Sequence, residues 1–396
     1  MKEPGGRKNN KGYSTQNAVN LVRGGRPYFD CLIGLISNAQ HSIHLQCYIY
    51  DDDVTGREVA DALKDAAVRG VAVYLLADGY ASQVMSRAFI QELRDSGIHF
   101  RYFEPLFRSK SFYFGRRMHH KVFVADAFHA LVGGVNISDH YNDLPGQPGW
   151  LDFAVYVQGE IASSLCMLCW KTWFNFSTVT IKSTRACKPT HECTLPAGSP
   201  LCAVRMRRND WVRAKNEISA SYVEMLKNAE QRVTIVCSYF LPGQIIRRLL
   251  KQASKRGVQI RVVIAGPSDV KIAKHAERWM YDWLLRNKIE IYEYQPNILH
   301  AKVAVCDGQW MTIGSYNINV ISAYASIELN LDIKEDAFCL SSEKTLEGII
   351  EKDCVRVTTD NHQKSRNWAI QLLRWSSYQA IRMMFYLMTF YFKQKK

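Results

Sequence analysis

The sequence has no hydrophobic run long enough to cross a bilayer. No stretch reaches roughly 18 uncharged apolar residues, so no classical spanning helix is expected. The longest apolar run, Met383 to Phe392, is ten residues. The opening MKEPGGRKNNKGYSTQ has no apolar core and reads as a polar tail over 1–18, not as a signal peptide. Zinc-type cysteine spacing is missing as well. Cys166 and Cys169 are spaced C-x-x-C in LCMLCW, but no second pair or histidine pair follows. They read as one face of a packed helix. Cys187, Cys193 and Cys202 with His191 fall in a linker-like stretch and are a weak alternative as metal ligands. The remaining cysteines, such as Cys47, Cys237 and Cys306, sit in apolar contexts where a thiol behaves as a small hydrophobe. This usage points to a reducing compartment.

Acidic residues are few relative to basic ones: 37 Asp+Glu against 51 Lys+Arg, a formal net charge of +14. The surplus suggests a polyanionic partner, either nucleic acid or an acidic membrane surface, with a merely well-solvated surface as the plain alternative. At 396 residues and 47% hydrophobic content the chain can build two ordinary domains.

Two such domains emerge on comparing the chain with itself. HSIHLQCYIYDDDVTGREVADALKDAAVRGVAVYLLADG in the first half matches QRVTIVCSYFLPGQIIRRLLKQASKRGVQIRVVIAGPSD in the second. Each reads as strand, amphipathic helix, Arg-Gly-Val (Arg69–Val71; Arg256–Val258) and a second β-branched strand, a βαβ unit. The expected organisation is a tail over 1–18, a first domain over 19–177, a linker over 178–209, a second domain over 210–360 and a basic, aromatic segment over 361–396. The linker assignment rests on the Pro, Gly, Ser and Thr of STVTIKSTRACKPTHECTLPAGSPLCAVRMRRND.

A second repeated pattern lies beyond each βαβ unit. The first copy is His119-x-Lys121-x4-Asp126-x6-Gly133-Gly134-x-Asn136, and the second is His300-x-Lys302-x4-Asp307-x6-Gly314-Ser315-x-Asn317. His and Lys two apart on a strand share a face. A hairpin turning at the Asp would bring Asn and the small residues back beside them. That set suits a phosphate: an ammonium, an amide donor and an open backbone. Imidazole can attack phosphorus or move protons near neutral pH. Diester cleavage by covalent catalysis needs both roles, and two facing copies supply two histidines. One His-x-Lys alone would more often be surface decoration, but the whole pattern recurring at matched offsets is not.

The paired pattern resembles the phospholipase D superfamily, whose signature is H-x-K-x4-D-x6-G-[GS]-x-N in duplicate. The resemblance runs from about residue 19 to 360. With LVRGGRPYFDCLIGLISNAQ, SYFLP and LHAKVAVCDGQWMTIGSYNIN it is similar, more narrowly, to bacterial cardiolipin synthases of the short type. It implies two pseudo-symmetric α/β sandwich domains packed face to face, with the active site at their interface. It also implies transfer of a phosphatidyl group between phosphatidylglycerol molecules, with glycerol released and no cofactor or metal. His119 is then expected to be the nucleophile and His300 the general acid/base, an assignment pseudo-symmetry makes reversible. Lys121, Lys302, Asn136, Asn317, Gly134 and Ser315 would hold the phosphate. Asp126 and Asp307 complete the motifs, their place at the turns favouring a structural role. Glu328, 28 residues after His300, and Asp152, 33 after His119, are expected to orient the imidazoles. His120, where these synthases usually carry Arg, should face away from His119 and act as support.

A lipid substrate implies contact with a bilayer. FRSKSFYFGRRMHH, residues 107 to 120, interleaves cations with aromatic rings, which suits acidic headgroups and also single-stranded nucleic acid. The segment NWAIQLLRWSSYQAIRMMFYLMTFYFKQKK suits a helix lying in the membrane plane, or one docked on the core. The expected location is the cytoplasmic face of the cell membrane, peripheral or monotopic. No nucleic-acid partner is expected. The motifs leave open a phospholipase D acting on water or another alcohol, and less readily a nuclease of the same superfamily.

Overall fold

The computed structural model describes residues 12–105, 116–176, 187–189, 194–195, 197–319, 322, 326–364 and 367–393, with side chains in the last helix described as far as Met384. The 107–120 segment therefore lies mostly outside the described residues, as do His191, Cys193 and the side chains of most of Met383–Phe392.

The first half builds a seven-stranded sheet from β1 (Asn17–Arg23), β2 (Ser42–Cys47), β3 (Ala72–Asp78), β4 (His99–Phe103), β6 (Lys121–Ala125), β7 (His129–Gly133) and β8 (Phe153–Gly159). The strand order is β1-β8-β7-β6-β2-β3-β4. The second half repeats that order with β9 (Ala203–Asp210), β16 (Ser326–Lys334), β15 (Trp310–Gly314), β14 (Lys302–Cys306), β11 (Arg232–Cys237), β12 (Gln259–Ala265) and β13 (Glu290–Tyr294), adding β10 (Lys215–Asn216) and β17 (Cys354–Val357) at the edges. In both halves the βαβ strands are parallel and the motif hairpin is antiparallel.

Alternation along the central strands explains the layering. Val122 and Val124 of β6 join Val303 and Val305 of β14 in a core between the two sheets, while Phe123 and Ala125 face outward. The outer face of the first sheet is covered by α1 (Arg26–Asn38), α2 (Val54–Val68) and α3 (Arg87–Asp95). The second sheet's outer face carries α5 (Glu217–Asn228), α6 (Gln244–Lys255), α7 (Lys271–Trp279) and α8 (Tyr281–Arg286), with α4 (Glu160–Trp173) and α9 (Asp336–Asp353) packing into the inter-sheet core. Burial on both faces is why the strands read as near-continuous apolar runs. The expected pair of α/β domains packed face to face is the architecture observed.

Two expectations need correction. The stretch 178–209 is not all linker, since β9 begins at Ala203 and pairs with β16. Its sequence AVRMRRND hides the strand because Arg205 and Arg207 are matched by the buried Asp332 and by Ser221, not by solvent. Cys166 and Cys169 do share the buried face of α4, but Cys166 is disulfide-bonded to Cys187, so the cysteine argument for a reducing compartment does not hold. Cys169 is buried and free.

The chain closes with α10 (Thr359–Lys364) and α11 (Trp368–Lys393). Ile381 of α11 packs with Leu241, Ala276 and Met280, so the helix docks along α7. Trp368, Leu372 and Trp375 stay exposed. Among the described residues no helix is long and apolar enough to cross a membrane.

Candidate active site

Each motif opens at the same edge of its sheet, where β6 and β14 begin. There the two halves hold each other. The backbone N–H groups of His119 and His120 both donate to Ile327 O, at 3.0 and 3.1 Å. Those of His300 and Ala301 both donate to Leu151 O, at 2.8 and 3.0 Å. A short strand, β5 (Arg117–Met118), accordingly pairs with β16 of the other half.

The next residue on each partner strand is an acid, and it takes the facing imidazole. Glu328 Oε2 lies 3.0 Å from His119 Nδ1, and Asp152 Oδ2 lies 2.6 Å from His300 Nδ1. The two acids occupy equivalent places: Gly134 N donates to Phe153 O, and Ser315 N to Leu329 O. Their unequal distances from the motif histidines come from a first-half loop five residues longer between Asn and acid. The structure thus places each of the two expected acids against the histidine of the opposite half.

The Gly134/Ser315 difference follows from these acids. A Cβ at Gly134 would stand 2.5 Å from both carboxylate oxygens of Asp152. The longer Glu328 leaves room for Ser315, whose Oγ donates to Glu328 Oε2. Ser326 Oγ donates to the other carboxylate oxygen at 2.8 Å.

Both lysines sit beside the histidines. Lys121 Nζ donates to His119 O at 2.6 Å and stands 5.1 Å over the Tyr48 ring. Lys302 Nζ donates to His300 O and, at 3.1 Å, to Ser238 Oγ. Asn136 accepts from Ile49 N at 3.1 Å and donates through Nδ2 to Tyr141 Oη at 2.8 Å. Asn317 Oδ1 accepts from Cys237 Sγ at 3.6 Å. The Tyr141 hydroxyl also lies 3.4 Å from His300 Nε2.

Electrostatics tie the groups into one site. Burial depresses both imidazoles, His300 to about 4, with Lys302 adding to the effect and Asp152 opposing it. Burial and the neighbouring Lys302 bring Lys121 down to about 7. Burial pushes Asp152 and Glu328 upward, but the lysines and histidines outweigh it and both carboxyls stay below their usual range. The resting site therefore holds neutral imidazoles, ionised acids and lysines that await a negative charge.

Asp126 and Asp307 are elsewhere. Each sits at the far end of a five-residue strand from its lysine, roughly 16 Å away at strand rise. Asp126 accepts from the backbone N–H groups of Gln40, His41 and Ser42, and Asp307 from those of Glu230, Gln231 and Arg232. In keeping with the structural role that their place at the turns favours, these two aspartates pin the turn that starts the first strand of each βαβ unit. His120 turns away from His119 as expected and pairs through Nε2 with Gln46 Oε1 at 2.9 Å.

Tyr48, whose ring meets His119 edge-on at 4.7 Å, Ser238, Ser326 and Tyr141 are members the sequence did not reveal. Ser238 follows Cys237 at the place where Tyr48 follows Cys47 in the other copy, a weak signal. Tyr141 lies in the longer loop, where the change of length breaks the register with the second copy. Among the described residues no group of three or more His, Cys, Asp or Glu is arranged to hold a metal.

A duplicated sheet with crossed His–acid pairs at one edge defines a phospholipase D-like protein. The chain matches the family described as "Cardiolipin synthase, PLD-like domain" over residues 32–145 and 222–350, and it belongs to that family. Relatives include cardiolipin synthase B of Salmonella typhimurium, 32% identical over 90% of this chain and 86% of that protein, and cardiolipin synthase B of Escherichia coli K12, 31% identical over 89% and 85%. Cardiolipin synthase of Alkalihalophilus pseudofirmus is 28% identical, covering 80% of this chain and 63% of that one. Among solved structures, phosphatidylserine synthase of Haemophilus influenzae superposes with a TM-score of 0.69 at 13% identity, over 92% of this chain and 94% of that one. Its fold is shared.

Proposed function

We propose that the chain is a phosphatidyltransferase that makes cardiolipin from two phosphatidylglycerol molecules and releases glycerol. The crossed pairing of each motif histidine with an acid from the other half carries this reading. It fixes both imidazoles as Nδ1–H donors, leaving each Nε2 lone pair for chemistry. His300, neutral at rest, takes a proton at Nε2 as the anionic diester binds. His119 Nε2 attacks the diester phosphorus, the bond to the headgroup glycerol oxygen breaks, and His300 passes that proton to the oxygen. His300 then takes the proton of a hydroxyl on the second phosphatidylglycerol. Its oxygen displaces His119 from phosphorus. Lys121, Lys302, Asn136 and Asn317 bind the non-bridging oxygens, and the incoming phosphate restores charge to the depressed lysines.

The bilayer belongs at the catalytic edge, where Val54 and Val84 of the first half and Ile245, Val270 and Ile272 of the second are all exposed. They occupy corresponding strand-to-helix connections. Arg87 and Lys271 start α3 and α7 beside them, giving cations for anionic headgroups. α11, docked along α7, exposes Trp368 and Trp375 as further apolar side chains for the interface, and association is peripheral.

The test is purified protein with phosphatidylglycerol vesicles and no other alcohol. Cardiolipin with matching glycerol supports the synthase. Phosphatidic acid with glycerol would make the chain a hydrolase, and DNA cleavage without lipid turnover a nuclease. His119→Ala and His300→Ala should each abolish turnover.

A further inference from the structure

Pseudo-symmetry makes the two histidines interchangeable on motif grounds, yet their reactive nitrogens are not in the same surroundings. His300 Nε2 faces the hydroxyl of Tyr141 at 3.4 Å, with the rings meeting edge-on at 5.1 Å between centroids. Among the described residues no hydrogen bond reaches Nε2 of His119.

Tyr141 is not a loose neighbour. It is 2% exposed. Its backbone N–H donates to Ser138 O at 3.0 Å, and its carbonyl accepts from Gly25 N at 3.1 Å. Trp150 packs against its ring at 5.2 Å. Asn136 donates to its oxygen at 2.8 Å, which leaves the hydroxyl proton to point elsewhere. With the His300 Nδ1 proton given to Asp152, Nε2 is the acceptor available. The chain of donors runs Asn136 Nδ2–H to Tyr141 Oη–H to His300 Nε2. Tyr141 lies in the loop that is five residues longer in the first half, and among the described residues no equivalent hydroxyl bonds to Nε2 of His119.

We infer that Tyr141 is the positioning residue that reserves His300 for proton exchange with a hydroxyl and leaves His119 as the nucleophile. The inference rests on the two-histidine reading above and adds what breaks its symmetry. A lone pair engaged by a hydroxyl is poised to trade a proton with the alcohol that displaces it, not to attack phosphorus. The donated bond favours neutral His300. The other charges facing that ring are Lys302 of its own half and Asp152 and Lys121 of the first half, with Asp269 acting on Tyr141 itself.

Tyr141→Phe keeps the ring and removes only the hydroxyl. Histidine side-chain nitrogen NMR on the full chain should show the His300 pKa rising by roughly one unit, about the worth of one hydrogen bond, with His119 unmoved. An unchanged His300, or equal shifts at both histidines, would overturn the inference. In the presence of phosphatidylglycerol, kcat should fall about tenfold with KM little changed, and acid-quenched enzyme should carry the phosphatidyl adduct on His119. An adduct on His300 would overturn the role assignment. Absence of any turnover by the unaltered protein would instead remove the synthase reading, while the NMR comparison would still decide the Tyr141 contact.

Discussion

Glu328, on a strand of the second half, lies 3.0 Å from Nδ1 of His119 in the first, and Asp152 holds His300 in the reciprocal way at 2.6 Å. Neither half can orient its own histidine. The active site is therefore a property of the docked pair, and separating the halves would remove both imidazole partners at once.

The first prediction concerns that dependence. Glu328→Gln keeps the shape and loses the charge that fixes the His119 tautomer. Turnover should fall by about 10²–10⁴-fold, the range for losing an orienting acid, with the melting temperature little changed. Ser315→Ala removes one donor to the same carboxylate and should cost less, within about tenfold. Steady-state rates and thermal melts on the three proteins check this. Equal losses in both variants would argue for a packing effect.

Gly134 gives a second prediction. A methyl group there would meet the Asp152 oxygens at 2.5 Å, and that carboxylate is committed to His300 and to Phe153 N. Gly134→Ala should displace it and reduce turnover at least tenfold, with overpacking costing about 1–3 kcal/mol of stability. Ser315→Gly relieves nothing and should lose only the hydroxyl's contribution. Full activity in Gly134→Ala would mean that Asp152 does not act where its distance to His300 places it.

Much of this was legible in the sequence because the chain says it twice. The β-branched runs, the Arg-Gly-Val joints and the His-Lys motifs recur with near-constant offsets, so the two sheets and the eight motif residues converging at their edge could be anticipated, while Asp152 and Glu328 came from the family resemblance. What stayed hidden has physical causes. β9 reads as a polar linker because Arg205 and Arg207 find their partners inside the protein, on Asp332 and Ser221. The crossing of acids between halves leaves no trace in offsets along one half. Tyr141 lies in a loop whose length differs between the halves, and Cys166 and Cys187 pair across 21 residues with no spacing signature.

Acidity supplies a third prediction. Lys121 is brought down to about 7 by burial and Lys302, so it carries its charge below that pH and loses it above. Since the free enzyme's ionisations govern kcat/KM, this ratio should decline as pH rises through about 7. kcat should be less affected, because bound phosphate favours the protonated lysine. Lys121→Arg, which stays charged at any ordinary pH, should flatten the decline. A pH profile of kcat/KM identical in the two proteins would remove Lys121 as its source.

The motif aspartates should behave differently from every other motif residue. Asp126 and Asp307 each collect three backbone N–H groups at the start of a βαβ unit. Both hold a left-handed backbone, with φ of 53° and 54°. Alanine at either place leaves three donors without their acceptor and suits that backbone poorly, at a cost of about 2–4 kcal/mol. The expected result is a lower unfolding midpoint with turnover per folded molecule unchanged. Asn tolerates the left-handed region and keeps one oxygen, so Asp126→Asn should fall between. A loss of turnover in a well-folded Asp126→Asn would return the residue to the chemistry.

The last prediction concerns the membrane. Single exposed apolar side chains are ordinary on any surface, so Val84 or Ile272 alone carries little weight. Their position does: both precede or open helices at the edge where the histidines stand, one in each half, next to Arg87 and Lys271. Val84→Asp with Ile272→Asp places two carboxylates against an anionic surface while touching no residue of the catalytic set. Sedimentation with phosphatidylglycerol vesicles should show binding reduced at least tenfold, whereas turnover of a short-chain, dispersed phosphatidylglycerol should be kept. Replacing Trp368 and Trp375 with Ser on the exposed side of α11 should weaken binding further, because that face points away from the residues that dock the helix on α7. If the double aspartate variant binds vesicles as the unaltered protein does, the catalytic edge is not the face that meets the bilayer, and the tryptophans of α11 would have to do so by themselves.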